Sequence, residues 1–261
     1  MRGRILAVAG SDSGGGAGIE ADIKTASALG AYTATAITAL TVQNTQGIER
    51  LMPVPADFVA QAAAAVLRDI GADAIKTGML VSATIVAAVA ETIDELAPAV
   101  PLVVDPVMVS SSGTRLLSED AVVVLKHRLI PRATVITPNI AEAEVLLGQR
   151  IADLGAMIDA AAALLKTGPR AVVITGGHLA GPTVADVICD ATGVAILEGP
   201  RLSGRAVHGT GCTFASAIAA SLAQGMALRS AVERAQCFVR DAILTAPGFG
   251  SGNGPLNHLR D

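Results

Sequence analysis

The chain has 261 residues, of which 51% are hydrophobic, 16% charged and only 2% aromatic. Such a balance excludes a disordered chain and demands a core built from Ala, Val, Ile and Leu, at a length that α/β folds often reach as one domain. The net charge of −4, with no basic run, leaves no source for the counterion release that drives nucleic-acid binding, so nucleic acid is not an expected partner.

Short β-branched runs alternate with Ala-rich stretches along the chain. The first run, 5–9, follows Arg2 and Arg4 but is too short for the core of a signal peptide, and it reads as a strand. A helix over 19–29, a strand over 33–40, a turn at Thr45, Gln46 and Gly47, and an added strand over 46–54 come next. The pattern continues with helices over 56–70, 83–96, 119–129, 141–147 and 154–166, and strands over 74–77, 102–105, 135–137 and 171–175. Residues 185–197 read as a hairpin turning near Thr192 and Gly193, and two helices, 212–224 and 228–246, close the order. The Gly/Ser/Asn-rich segment 248–261 is expected to be a mobile tail. This alternation predicts a largely parallel sheet with helices on both faces, in a single domain over 1–261 without repeat or linker.

The uncharged stretches 25–48 and 208–228 are rich in Thr, Ser, Gly, Gln or Asn, so they read as buried elements of a soluble, cytoplasmic protein and not as membrane spans. Cys189, Cys212 and Cys237 lie far apart with no CxxC or zinc spacing, which gives neither a disulfide framework nor a structural metal.

Ligands of open α/β sheets collect beyond the carboxyl ends of the strands, and four segments stand there. Gly10 to Gly18 (GSDSGGGAG) lets backbone approach a ligand but fits neither GxGxxG nor the phosphate-binding loop GxxxxGK[ST]; a flexible connection explains it equally. Asp105 before Pro106 is either an acidic ligand or a turn residue. Asn139 and Glu142 have the spacing of a helix cap and first-turn acid, yet Asp105 and Glu142 together suit Mg²⁺. HGTGC at 208–212 precedes an Ala-rich helix, where exposed N–H groups and the helix dipole form an anion site and would stabilise the thiolate of Cys212. The bland alternative is a tight turn with a small buried thiol.

GSD at 10–12, GGAGI at 15–19 with Ala21 and Asp22, AITALT at 36–41 leading to QNT at 43–45, KTGM at 76–79, DPVM at 105–108, TPN at 137–139 with Glu142, GGH at 176–178 and GTGC at 209–212 occur in this order. In these motifs the chain resembles the hydroxymethylpyrimidine (phosphate) kinases of the ribokinase-like superfamily, over nearly its whole length. The resemblance implies a three-layer α/β/α fold, ATP as donor, Mg²⁺ as helper, a homodimer, and successive phosphorylation of the thiamine pyrimidine and its monophosphate. It assigns Cys212 as base, with Gly209, Thr210 and Gly211 cradling the transferred group. Gln43, the backbone of Val107, Met79, Ala17, Gly10 and Asp22 fall to the pyrimidine; Asp105, Asn139 and Thr175 fall to the nucleotide, and Asp105 with Glu142 to the metal. Thr175 stands where many members carry Lys near the nucleotide, and Glu20, expected on an outer helix face, stands where Gln is common. A pyridoxine or pyridoxal kinase and a non-catalytic pyrimidine-binding protein are the alternatives.

Overall fold

A computed structural model describes residues 2–110, 113–177, 179, 181–202 and 207–259. Its centre is a nine-stranded sheet in the order β3-β2-β1-β4-β5-β6-β7-β8-β9. The strands are β1 (Arg4–Ser11), β2 (Tyr32–Asn44), β3 (Gly47–Pro53), β4 (Ala74–Thr77), β5 (Leu102–Val104), β6 (Val135–Ile136), β7 (Ala171–Ile174), β8 (Thr183–Asp190) and β9 (Gly193–Pro200). From β2 to β7 neighbouring strands run parallel, while β3 at one edge and β8 and β9 at the other pair antiparallel. Strands β4 to β7 are buried at every residue, as apolar runs covered on both faces should be.

Period-2 alternation along the strands sends neighbouring residues to opposite faces. Leu6, Ile75, Leu102, Val104 and Ile136 join a core under α2 (Ala56–Asp69), α3 (Ala83–Leu96), α4 (Glu119–Arg128), α5 (Ile140–Leu147) and α6 (Leu154–Leu165). Ile5, Ala74, Val103, Val135 and Val173 face the other core, under α1 (Gly18–Ala28), α7 (Thr210–Ala223) and α8 (Leu228–Leu244). Helix α7 is buried over the whole run 213–221, because α1 and α8 flank it while it lies on the sheet. Its Ala content permits that close approach, and the uncharged stretch 208–228 is thereby a central helix. Among the described residues no helix is long and apolar enough to cross a membrane.

The predicted elements are present, with ends shifted by a few residues. Strand β2 runs to Asn44, and the hairpin spans Thr183 to Pro200. Its turn is fastened by the Thr192 amide and hydroxyl donating to Asp190 at 2.8 and 2.6 Å.

The segment from Gly248, expected to be loose, instead docks over residues 248–259. His208 N–H donates to Gly254 O (3.0 Å), Asn253 N–H to Thr45 O (2.8 Å) and Asn257 N–H to Ala242 O (3.1 Å). Leu256 and His258 are buried, and His258 Nε2 lies 2.9 Å from Thr213 Oγ1. Glycine content there reflects close approach, since a Cβ on Gly252 would stand 2.1 Å from Thr45 O. The segment ties the turn after β2 to the first turn of α7.

Candidate active site

A cavity of ≈460 Å³ opens along the carboxyl ends of the central strands. The sheet order lays its walls out laterally: Gln43 from β2, Gly10 from β1, Met79 beyond β4, Asp105 and Val107 beyond β5, Asn139 beyond β6 and Thr175 beyond β7. Residues 209–212 at the start of α7 complete the wall, together with Ala17 and His208. Crossovers of the parallel sheet bring these residues together from segments that are distant in sequence.

Gly209 precedes α7 in a left-handed conformation (φ 82°, ψ 6°), with no side-chain cap on the helix. A Cβ on Gly209 would stand 1.9 Å from Gly16 O, and one on Gly18 2.2 Å from Gly10 O, so only glycine fits either place. Asp12 shapes the facing loop by accepting from the amides of Gly14, Gly16 and Ala17 at 2.8, 3.0 and 2.9 Å. Glu20, expected on an outer face, turns inward and accepts from Ser11 Oγ (2.6 Å) and Asp12 N–H (2.7 Å). The first amides of α7 lie beyond reach of intrahelical acceptors and carry the positive end of its dipole, which makes an anion cup.

Cys212 keeps part of its surface at this wall. The expectation of a stabilised thiolate is opposed by the surroundings of Cys212. Burial pushes the thiol up to about 12; Lys76 opposes this, Asp105 and Asp22 add to it, and the amide of Gly18 facing the sulfur lowers it again. Desolvation and two nearby carboxylates outweigh the helix field.

Asp105 and Glu142 form an acidic corner. Glu142 closes a capping box with Asn139, accepting from Asn139 N–H (2.9 Å) while Asn139 Oδ1 accepts from Glu142 N–H (2.9 Å). The same two residues thus cap α5 and line the cavity. Burial raises Glu142 to about 8, with repulsion from Asp105 adding and the Asn139 and Met108 amides opposing. Burial likewise raises Asp105 to about 6, against the pull of Lys76. Among the described residues, Asp105 Oδ2, Thr77 Oγ1 and Thr137 Oγ1 are buried without hydrogen-bond partners at the ends of three adjacent strands. An unpaired buried carboxylate oxygen is costly and calls for a ligand. Among the described residues no group of three or more His, Cys, Asp or Glu could hold a metal ion, so a cation here would rest on two carboxylates, with water or phosphate oxygens filling the remainder, as suits Mg²⁺.

A model of the phosphomethylpyrimidine kinase family matches residues 12–257. The chain belongs to the phosphomethylpyrimidine kinase family. It is 46% identical to a hydroxymethylpyrimidine/phosphomethylpyrimidine kinase of Streptomyces coelicolor, over 97% of this chain and 93% of that protein. It is 48% identical over 99% of its length to the thiamine biosynthesis bifunctional protein ThiED of Geobacter sulfurreducens, of which it spans about half (52%). Two solved structures share its ribokinase-like fold. A phosphomethylpyrimidine kinase of Clostridium difficile has TM-score 0.81 and 38% identity, over 92% of this chain and 99% of that one. The ADP complex of Bacillus subtilis pyridoxal kinase has TM-score 0.89 and 35% identity, over 99% and 98%. The chain is thus an ATP-dependent phosphotransferase by family.

Within this kinase, every site residue expected from sequence lines the cavity except Asp22. Asp22 is buried and bound to Lys76 Nζ (2.8 and 3.0 Å) and Ser216 Oγ (2.7 Å), so it does not reach a substrate. Sequence reasoning places Lys76 only inside the KTGM motif and misses it as a site residue; a Lys near the end of a fully buried strand is the available signal. His178 lies outside the described residues.

The raised Glu142 fixes a sign. Below about pH 4.5 it is protonated in both the folded and unfolded chain; between there and about 8 the unfolded chain alone ionises, so stability drains away as pH rises. Glu142→Gln should therefore raise the melting temperature at pH 8.5 by a few degrees and change it little at pH 4.5. Equal effects at both pH values in thermal melts would show that Glu142 is not held protonated.

Proposed function

We propose that this kinase moves the γ-phosphoryl of ATP onto the hydroxymethyl oxygen of 4-amino-5-hydroxymethyl-2-methylpyrimidine, and then onto the resulting monophosphate, as a cytoplasmic enzyme of thiamine biosynthesis. The observation that carries the reading is the convergence of Cys212 and the amide cup with Gln43, Asp105 and Glu142 on the walls of one cavity. The names of the relatives support the same substrate.

In the transfer the bond from the γ-phosphorus to the β,γ-bridging oxygen breaks, and the acceptor oxygen bonds to that phosphorus. Its proton passes to the sulfur of Cys212, and ADP leaves. The N–H groups of Thr210, Gly211 and Cys212 face the charge that spreads over the transferring oxygens. Because such a transition state is loose, the acceptor keeps its proton until late, and the thiolate form of Cys212 is what then takes it. Gln43 offers an amide that donates and accepts at once, matching a ring nitrogen beside an exocyclic amine. Met79, Ala17, Gly10 and the backbone of Val107 close around the ring, while Asn139 and Thr175 face the nucleotide. Asp105 and Glu142 would hold Mg²⁺, which when bound neutralises phosphate charge. That ion would also relieve the repulsion between the two carboxylates.

A vitamin B6 substrate is the second reading, favoured by the likeness to Staphylococcus aureus pyridoxal kinase in complex with pyridoxal (TM-score 0.91, 33% identity). One assay decides between them. With ATP and Mg²⁺, the pyrimidine alcohol should yield mono- and then diphosphate with kcat/KM well above that for pyridoxal. Cys212→Ala should lower kcat by about 10²- to 10⁴-fold while pyrimidine binding persists. A large preference for pyridoxal, or full turnover by the Ala variant, would refute the assignment.

The homodimer belongs to the same reading. Leu40 and Val42 on β2, with Met52 paired opposite Leu40 on β3, form an exposed apolar strip at the sheet edge, of a kind that pairing with a second copy would cover. Sedimentation should give about twice the chain mass of 26.1 kDa; a monomer at micromolar concentration would remove this element.

A further inference from the structure

Two helix starts meet beneath the transfer centre in stacked contacts. At the upper level the amide of Gly18, in the first turn of α1, faces the sulfur of Cys212 in the first turn of α7 and favours its charged form. One helical turn further along each helix, Asp22 and Ser216 repeat the meeting, with Ser216 Oγ donating to Asp22 Oδ1 at 2.7 Å. The i, i+4 spacing of Gly18 with Asp22 and of Cys212 with Ser216 places both pairs on facing sides of the helices. Lys76 enters this lower level from β4, on the same face of the sheet as Ala74. Its Nζ is fully buried and bonded to both oxygens of Asp22 at 2.8 and 3.0 Å. A Cβ on Gly78 would stand only 2.9 Å from Nζ, so the KTGM segment leaves the ammonium just enough room.

A buried Asp–Lys pair seldom adds net stability over an apolar replacement, and an ordinary core position would hold a Leu. We propose that Lys76 is a positioning residue of the transfer centre: fixed by Asp22 one turn below Cys212, its ammonium supplies the positive charge that keeps the sulfur available as the thiolate able to accept a proton. Burial disfavours that charge, but Asp22, Cys212 and Asp105 more than compensate and hold Lys76 protonated. The groups facing the sulfur are then the Gly18 amide from α1, Lys76 from β4, Asp105 beyond β5 and, further off, Asp22. Only Lys76 among these side chains is a cation. The inference rests on the reading of Cys212 as proton acceptor.

The test reads the thiol without any turnover. In a Cys237→Ser background, which removes the exposed cysteine and leaves Cys189 buried, alkylation of Cys212 by iodoacetamide is followed from pH 7 to 9. Lys76→Met should slow it by about tenfold, the effect of one unit in thiol proton affinity. Asp22→Asn, which breaks the same pair but removes the negative member, should speed it. A purely structural staple would make Lys76→Met and Asp22→Asn shift the rate in the same direction, and that result overturns the proposal. Should Lys76→Met fail to fold, the double variant Asp22→Asn with Lys76→Met leaves no unpaired buried charge and must alkylate more slowly than Asp22→Asn alone; an equal rate overturns it too. Failure of the kinase reading would appear separately, as absence of ATP-dependent product from the parent chain.

Discussion

Gly209 turns the backbone in the left-handed region with its Cα against the carbonyl of Gly16, and Gly18 does the same against Gly10. These two approaches allow the amide end of α7 to reach the carboxyl ends of β1, β4 and β5. Any side chain at either place would push the helix start away from Asp105 and from the cavity. Asp12 and Glu20 hold the loop in that shape through five hydrogen bonds from one side, and the docked C-terminal segment holds the helix start from the other. The positive charge offered to an anion is therefore mostly backbone, fixed before any ligand arrives.

The buried charges beneath that cup oppose one another. Asp105 and Glu142 are both held above the usual carboxylate range, chiefly by burial, and Cys212 is held near the top of the thiol range. Stability alone would replace all three with apolar residues. A carboxylate oxygen left without a donor among the described residues, at the end of a strand whose neighbours end in two Thr hydroxyls in the same condition, is the arrangement expected of a site completed by a cation and phosphates. The family gives that arrangement a purpose, since a phosphotransferase must neutralise phosphate charge without displacing the acceptor.

Much of this is legible in the sequence, for identifiable reasons. Strands and helices announce themselves because each buried strand is a short β-branched run and each outer helix carries an apolar stripe. Asp105, Asn139, Glu142 and the HGTGC turn can be found because each follows a strand, where a parallel sheet exposes its ends. Other features are hidden. The tail from Gly248 looks loose in sequence because close backbone packing and flexibility use the same residues, glycine above all. Glu20 looks like a surface residue because helical periodicity does not reveal that the loop preceding the helix folds back over it. Lys76 and Asp22 are 54 positions apart, and no local pattern pairs a buried strand with a helix so far before it. The thiol of Cys212 is misjudged from sequence because the helix field is visible there and the surrounding carboxylates are not.

The central claim is that the first amides of α7 receive the transferring group. It is tested most directly by NMR of ¹⁵N-labelled protein on addition of ADP, Mg²⁺ and aluminium fluoride with the pyrimidine alcohol, a mimic of the planar phosphoryl. The account predicts that the amide protons of Thr210, Gly211 and Cys212 move strongly downfield as they take up hydrogen bonds. Binding of the mimic with those three resonances unmoved would contradict it.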